Sequence, residues 1–111
     1  MISVAECRLQ CNLDQDEHDF DIWFEQVIPS AILAIQNLIN RKIYATQQDL
    51  DDDENAPGNA IVFNESLRLG ALMLIGHWFI NRESTSALSL NETPMALDYL
   101  VRPYRHMAGV A

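Results

Sequence analysis

A chain of 111 residues, 49% hydrophobic with only four prolines and four glycines, is sized for one globular domain and does not have the composition of a disordered segment. Its formal net charge of -9 excludes a protein whose general surface grips phosphates, since such binding rests on Lys and Arg, but suits one that nucleic acid passes without sticking. Two cysteines make no disulfide framework, and the start Met-Ile-Ser-Val-Ala-Glu lacks the basic and apolar regions of a signal peptide, so cytoplasmic synthesis is expected.

Ser3-Val4-Ala5-Glu6 is a Ser-x-x-Glu capping box, which predicts a short helix from Val4 to about Gln10. Cys7 and Cys11 fall on one side of it, as small packed hydrophobes. His18 is the nearest further metal donor. A fourth ligand is missing and the spacing is not that of a zinc motif. The acidic stretch Asn12 to Asp19 precedes a new apolar period, so a long second helix is expected from near Asp16 to about Arg41. Phe20, Trp23, Phe24, Val27, Ala31, Ile35 and Leu38 mark its packed face. Arg41 and Lys42 would suit the negative end of its dipole. Pro29 inside the period predicts a kink or break.

Between Ile43 and Phe63 no helical period is visible. Gln47 to Asn59 reads as a long exposed acidic loop carrying Asp49, Asp51, Asp52, Asp53 and Glu54 and a Pro-Gly turn signal. Ala60 to Phe63 is a short strand or an extended lead, with Ile43-Tyr44-Ala45 its only available partner, as a hairpin. Asn64 is the expected N-cap of the next helix.

That helix is the organising element. Leu69 to Ile80 is apolar almost without interruption and then turns polar at Asn81-Arg82-Glu83, too short for a membrane span of about 20 residues. Leu67, Ala71, Leu74, Ile75, Trp78 and Phe79 recur at helical spacing, while Leu69, Leu72, Met73 and Ile80 fill the other faces. A helix apolar all round needs cover on several sides, some of it from another subunit. After a loop, Thr93-Pro94 predicts a final short helix from Pro94 to about Val101, closed by Pro103, with 108–111 a loose tail. The fold class is therefore all-α: a small bundle in one domain spanning 1–111, with a short N-terminal helix, a long helix, a buried central helix and a short C-terminal helix.

The candidate sites are structural. Asp49, Asp51 and Asp53 match the first ligand positions of a calcium loop, but Glu54 stands where the turn glycine belongs and Ala60 where the bidentate Glu belongs. The acidic loop is instead a solvated surface or one that repels nucleic acid. His77 has no Ser, Cys or carboxylate at a triad or metal spacing, and no phosphate loop exists. No catalytic, cofactor-binding or metal-binding residue is assigned, and the chain is not expected to be an enzyme. Arg82 shares a helical face with Ile75 and Trp78, so its guanidinium needs a carboxylate or carbonyls within or between subunits. Arg102 and Arg105, flanking Tyr104, would meet DNA or a partner, or serve an exposed structural role.

Two blocks resemble the head-tail connector family of long-tailed phages. Leu69 to Glu83 is similar to that family's apolar helix ending in His-aromatic-x-Asn-Arg-Glu, and Pro94 through Leu100-Val101-Arg102-Pro103-Tyr104-Arg105 is similar to its closing Pro-Tyr-Arg pattern. Pro29 and Ile80 depart from the pattern. The resemblance implies a homo-oligomeric ring of about a dozen subunits, closed by head-to-tail contacts. It also implies docking between the portal and a tail completion or stopper protein, with double-stranded DNA passing unread through the lumen. The place would be the virion neck, after synthesis in the host cytoplasm, with no membrane involved. Trp78, Asn81, Arg82, Glu83, Arg102, Tyr104 and Arg105 are then candidate interface residues, and Asp49 to Glu54 face the lumen or a partner. The competing class is an acidic regulatory or inhibitory protein that mimics nucleic acid.

Overall fold

The computed structural model describes residues 1–81 and 95–106. Helix α1 spans Val4–Gln10, with both halves of the capping box formed: the Ser3 hydroxyl accepts from the Glu6 amide, and the Ser3 amide donates to the Glu6 carboxylate, each at 3.2 Å. Cys7 is fully buried beneath it. The chain then leaves the helix through Asn12, whose φ of 60° lies in the left-handed region that Asn tolerates better than most residues.

Helix α2 spans Asp21–Ile39, shorter at both ends than its sequence predicts. The acids upstream form turns instead of a first helical turn. The Glu17 amide donates to the Asp14 carbonyl at 2.9 Å, and the Glu17 carboxylate accepts from the Asp19 amide at 3.1 Å. Such local side-chain bonds compete with helix. At the other end Asn40 takes a left-handed conformation (φ 55°, ψ 38°), so Arg41 and Lys42 lie beyond the helix and not in its last turn. The expected break at Pro29 does not occur. Pro29 and Glu25 are both exposed, and water can take the carbonyl that the proline leaves without a donor. Over its 19 residues α2 is long and apolar enough to cross a membrane, yet Phe24, Ala31, Ile32, Ile35 and Ile39 are buried in the bundle.

Strand β1 (Ile43–Tyr44) pairs with β2 (Ile61–Val62) in parallel, in the register Ile43 to Ile61 and Tyr44 to Val62. The hairpin expectation is thus corrected, because the segment between them crosses over and returns in the same direction. That segment is not all loop. Helix α3 spans Gln47–Asp52, capped by the Thr46 hydroxyl on the Asp49 amide at 3.1 Å. It buries no residue, which is why no apolar period announced it.

Helix α4 spans Glu65–Asn81 and opens on the expected cap, the Asn64 side chain accepting from the Leu67 amide at 3.0 Å. Leu67, Gly70, Ala71, Leu74 and Ile75 form its buried stripe. It packs against α1, α2 and helix α5 (Met95–Val101). Gly70 permits the last contact: a Cβ there would sit 2.8 Å from Leu97 Cδ1 and 3.3 Å from Val101 Cγ1. The all-round cover expected of this helix is incomplete within one copy, since Leu69 is 46% and Ile80 83% exposed. After α5 a 3-10 turn, Arg102–Tyr104, includes Pro103. The expected cap at Thr93-Pro94 and the tail 108–111 lie outside the described residues.

Candidate assembly surfaces

At the C-terminal end of α4, Phe79 stacks with Phe24 (centroids 5.9 Å apart) and meets Phe20 and Trp23 edge-on at 5.1 and 5.8 Å. Each such pair adds roughly 0.5 to 1.5 kcal/mol to the gain from burial. The cluster fixes the N-terminal end of α2 against the last turns of α4. Trp78 is half-buried against the core. Asn81 folds back on its own helix, its amide donating to the His77 carbonyl at 2.8 Å. Arg82 and Glu83 lie outside the described residues. An open groove of about 490 Å³ runs between α1 and α4, lined by Cys11, Met73, Gly76, His77 and Ile80 among others. The two thiols beside it are poor nucleophiles: burial pushes Cys7 up to about 11 and raises Cys11 as well.

Sequence reasoning missed two ion pairs that tie α1 down. Arg8 grips Asp21 with both arms of its guanidinium, at 2.8 and 3.0 Å, while His18 Nδ1 lies 2.9 Å from the same carboxylate. The bonds from Arg8, then His18, hold the Asp21 carboxyl down at about 2. Arg68 reaches Glu6 at 2.5 Å and Glu65 at 3.4 Å, joining α1 to α4. Burial pushes the Glu6 carboxyl up, but bonds from Arg68 and Ser3 outweigh it and leave it below the usual range. The last-turn position of Arg8 was the one available signal, and it did not reveal its partner.

The C-terminal end of α2 is arranged differently. Asn40 joins two segments there: its carbonyl accepts from the Asn59 side chain at 3.1 Å, and its side chain donates to the His106 carbonyl at 3.2 Å. The His106 amide returns to the Ile39 carbonyl at 2.7 Å. Tyr104 is half-buried against the core, whereas Arg102 is exposed, paired with Asp98 and placed over the Tyr99 ring. Arg105 is exposed. In the acidic segment, Asp49, Asp51, Asp52 and Glu54 are exposed, while Asp53 is half-buried and pinned. Tyr44 donates to Asp53 at 2.5 Å and Lys42 stands 3.8 Å from it. The bond from Tyr44, with one from the Asn55 amide, keeps that carboxyl below its ordinary value.

The two sequence blocks singled out above are therefore not brought together. Trp78 and Asn81 stand near the N-terminal end of α2, and Arg102, Tyr104 and Arg105 near its C-terminal end, about 28 Å away along the helix. Between them they cover both ends of the bundle. A family model described as "Phage gp6-like head-tail connector protein" matches residues 1–105. The chain belongs to this head-tail connector family. No curated protein and no solved structure matches it. The family is structural, so this connector is a virion component of the head-tail junction that assembles with other phage head and tail proteins.

Proposed function

We propose that this connector forms a homo-oligomeric ring of about a dozen copies, closed by head-to-tail contacts, between the portal and a tail completion or stopper protein. Double-stranded DNA passes through its lumen without being read. The observation that carries the reading is the family match over residues 1–105. Three features support it. Leu9, Ile22 and Ile80 remain 72 to 83% exposed, which is apolar surface in search of a neighbour. The net charge of -9 disfavours retention of a polyanion. Among the described residues, no Asp, Glu, Lys or Arg lines the α1–α4 groove. The nucleic-acid mimic fits less well, because Asp21, Glu6 and Asp53 are engaged by Arg8, Arg68 and Lys42 instead of forming an outward array.

Native mass measurement of the chain, alone and with assembled portal, tests this. A cyclic species of many copies is expected in at least one condition. A single copy in both, binding a DNA-processing enzyme instead, would overturn the ring in favour of the mimic.

A further inference from the structure

The cations of this protein are not equally occupied. Arg8, Lys42, Arg68 and Arg102 each face a carboxylate of their own chain. Arg41 and Arg105 do not, among the described residues, and Arg41 Nε is buried without any hydrogen-bond partner. In a chain with 16 acids and seven Lys and Arg, a cation left without a carboxylate is not explained by shortage. The two are also neighbours in the fold. Arg41 follows the Asn40 cap, and Arg105 precedes His106, whose backbone is bonded to Ile39 and Asn40.

The complementary feature sits on the same end of the molecule. Asp49, Asp51, Asp52 and Glu54 are exposed on and after α3, and no Lys or Arg faces them among the described residues. Asp51 and Asp52 accept only from Gln47 and Gln48, at 2.9 and 2.8 Å. The segment is held in place nonetheless, by the Thr46 cap and by the Tyr44 bond to Asp53. A basic pair and an acidic helix thus lie on either side of the Asn40 junction, and among the described residues they form no ion pair within one copy.

We propose that Arg41 and Arg105 of one copy receive the α3 carboxylates, Asp49 and Asp51 foremost, of the next copy in the ring. The inference rests on the ring reading above and says which surfaces close it. A two-fold contact could pair the unlike patches once in each direction, but it would close the assembly at two copies. A head-to-tail contact repeated by rotation brings unlike patches together at every joint. Duplex phosphates are the other acceptor of suitable chemistry. They are disfavoured because the exposed acids of α3 lie beside the same junction. The acidic segment becomes a joint between copies and not a lining of the lumen.

Sedimentation velocity over a range of concentration and salt tests this with the wild-type chain and Arg41→Glu/Arg105→Glu. Wild-type assembly is expected to weaken with salt, and the charge reversal to raise the concentration needed for assembly by about tenfold or more. Adding Asp49→Lys/Asp51→Lys to the reversed chain should restore assembly, since the two patches have then exchanged sign. Circular dichroism checks that each variant folds. Arg41→Gln/Arg105→Gln, with a smaller loss in the same direction, replaces the reversal if that variant unfolds. If the wild type assembles and the variants assemble equally well, this contact is wrong and the ring stands. A wild type that stays single at every concentration removes the ring and the contact with it. Variants that assemble normally but lose affinity for a fluorescein-labelled duplex, read by anisotropy, would assign the two arginines to phosphate.

Discussion

The two ends of α2 treat charge in opposite ways. At the N-terminal end Asp21 is held by Arg8 and His18, beside an aromatic cluster built on Phe20, Trp23, Phe24 and Phe79. The Asp21 carboxylate and the aromatic rings there are engaged within one copy and fix α1 and α4 on α2, while Ile22 and Ile80 remain exposed beside them. At the C-terminal end, among the described residues, Arg41 and Arg105 stand without carboxylates while the α3 acids stand without cations. A small protein that must both fold and assemble can separate the two tasks along one helix. Substitutions at the first end should change stability, and those at the second should change association.

The largest expected effect lies at the first end. Phe24→Ala removes a fully buried ring at the centre of the aromatic cluster and should cost about 3 to 5 kcal/mol, read as a fall in the denaturant midpoint. Arg41→Gln, by contrast, should leave the midpoint within roughly 0.5 kcal/mol of wild type, because the half-buried Arg41 side chain has no hydrogen bond or ion pair to lose among the described residues. Comparable losses from the two would erase the distinction between the ends.

A smaller effect concerns acid. The Asp21 carboxyl lies at about 2, below its ordinary 3.8, so the folded state holds fewer protons there than the unfolded state. Its contribution is complete above about pH 4 and disappears as pH falls toward 2. Arg8→Ala should return the Asp21 titration toward 3.8, observed by NMR of the carboxyl carbon, and should flatten this part of the acid unfolding curve. An unchanged titration would mean that His18 alone sets it.

The smallest change belongs to the second end. Tyr44→Phe removes the bond to Asp53, so that carboxyl should rise toward its ordinary value, and amides of α3 should exchange faster while the melting temperature barely moves. If the melting temperature falls as far as for Phe24→Ala, α3 belongs to the folding core and not to an assembly surface.

What could be read from the chain followed the range of the interaction. The Ser3 box, the Asn64 cap and the Leu67 to Ile75 stripe were legible because capping and a 3.6-residue period act within a few residues. So was the side of α5 that carries Leu97 and Val101. Helix α3 escaped notice because it buries nothing, leaving only a Thr cap to mark it. The acids before α2 suit a helix N-terminus but close turns of their own, so the helix starts at Asp21 and not near Asp16. The parallel pairing of β1 with β2 depends on how the chain returns to Ile43, which no local pattern encodes.

The candidate sites divide in the same way. Sequence by itself determined the family, the apolar central helix and the residues of its polar end, since these are matters of residue type and spacing. Only the tertiary structure decided, among the described residues, that Trp78 and Asn81 stand at the opposite end of α2 from Arg102, Tyr104 and Arg105, that Arg8 and Arg68 are committed to Asp21 and Glu6, and that Arg41 and Arg105 are left without a carboxylate. A charge becomes paired or unpaired through neighbours that are distant in the chain, so its availability for assembly is a property of the fold.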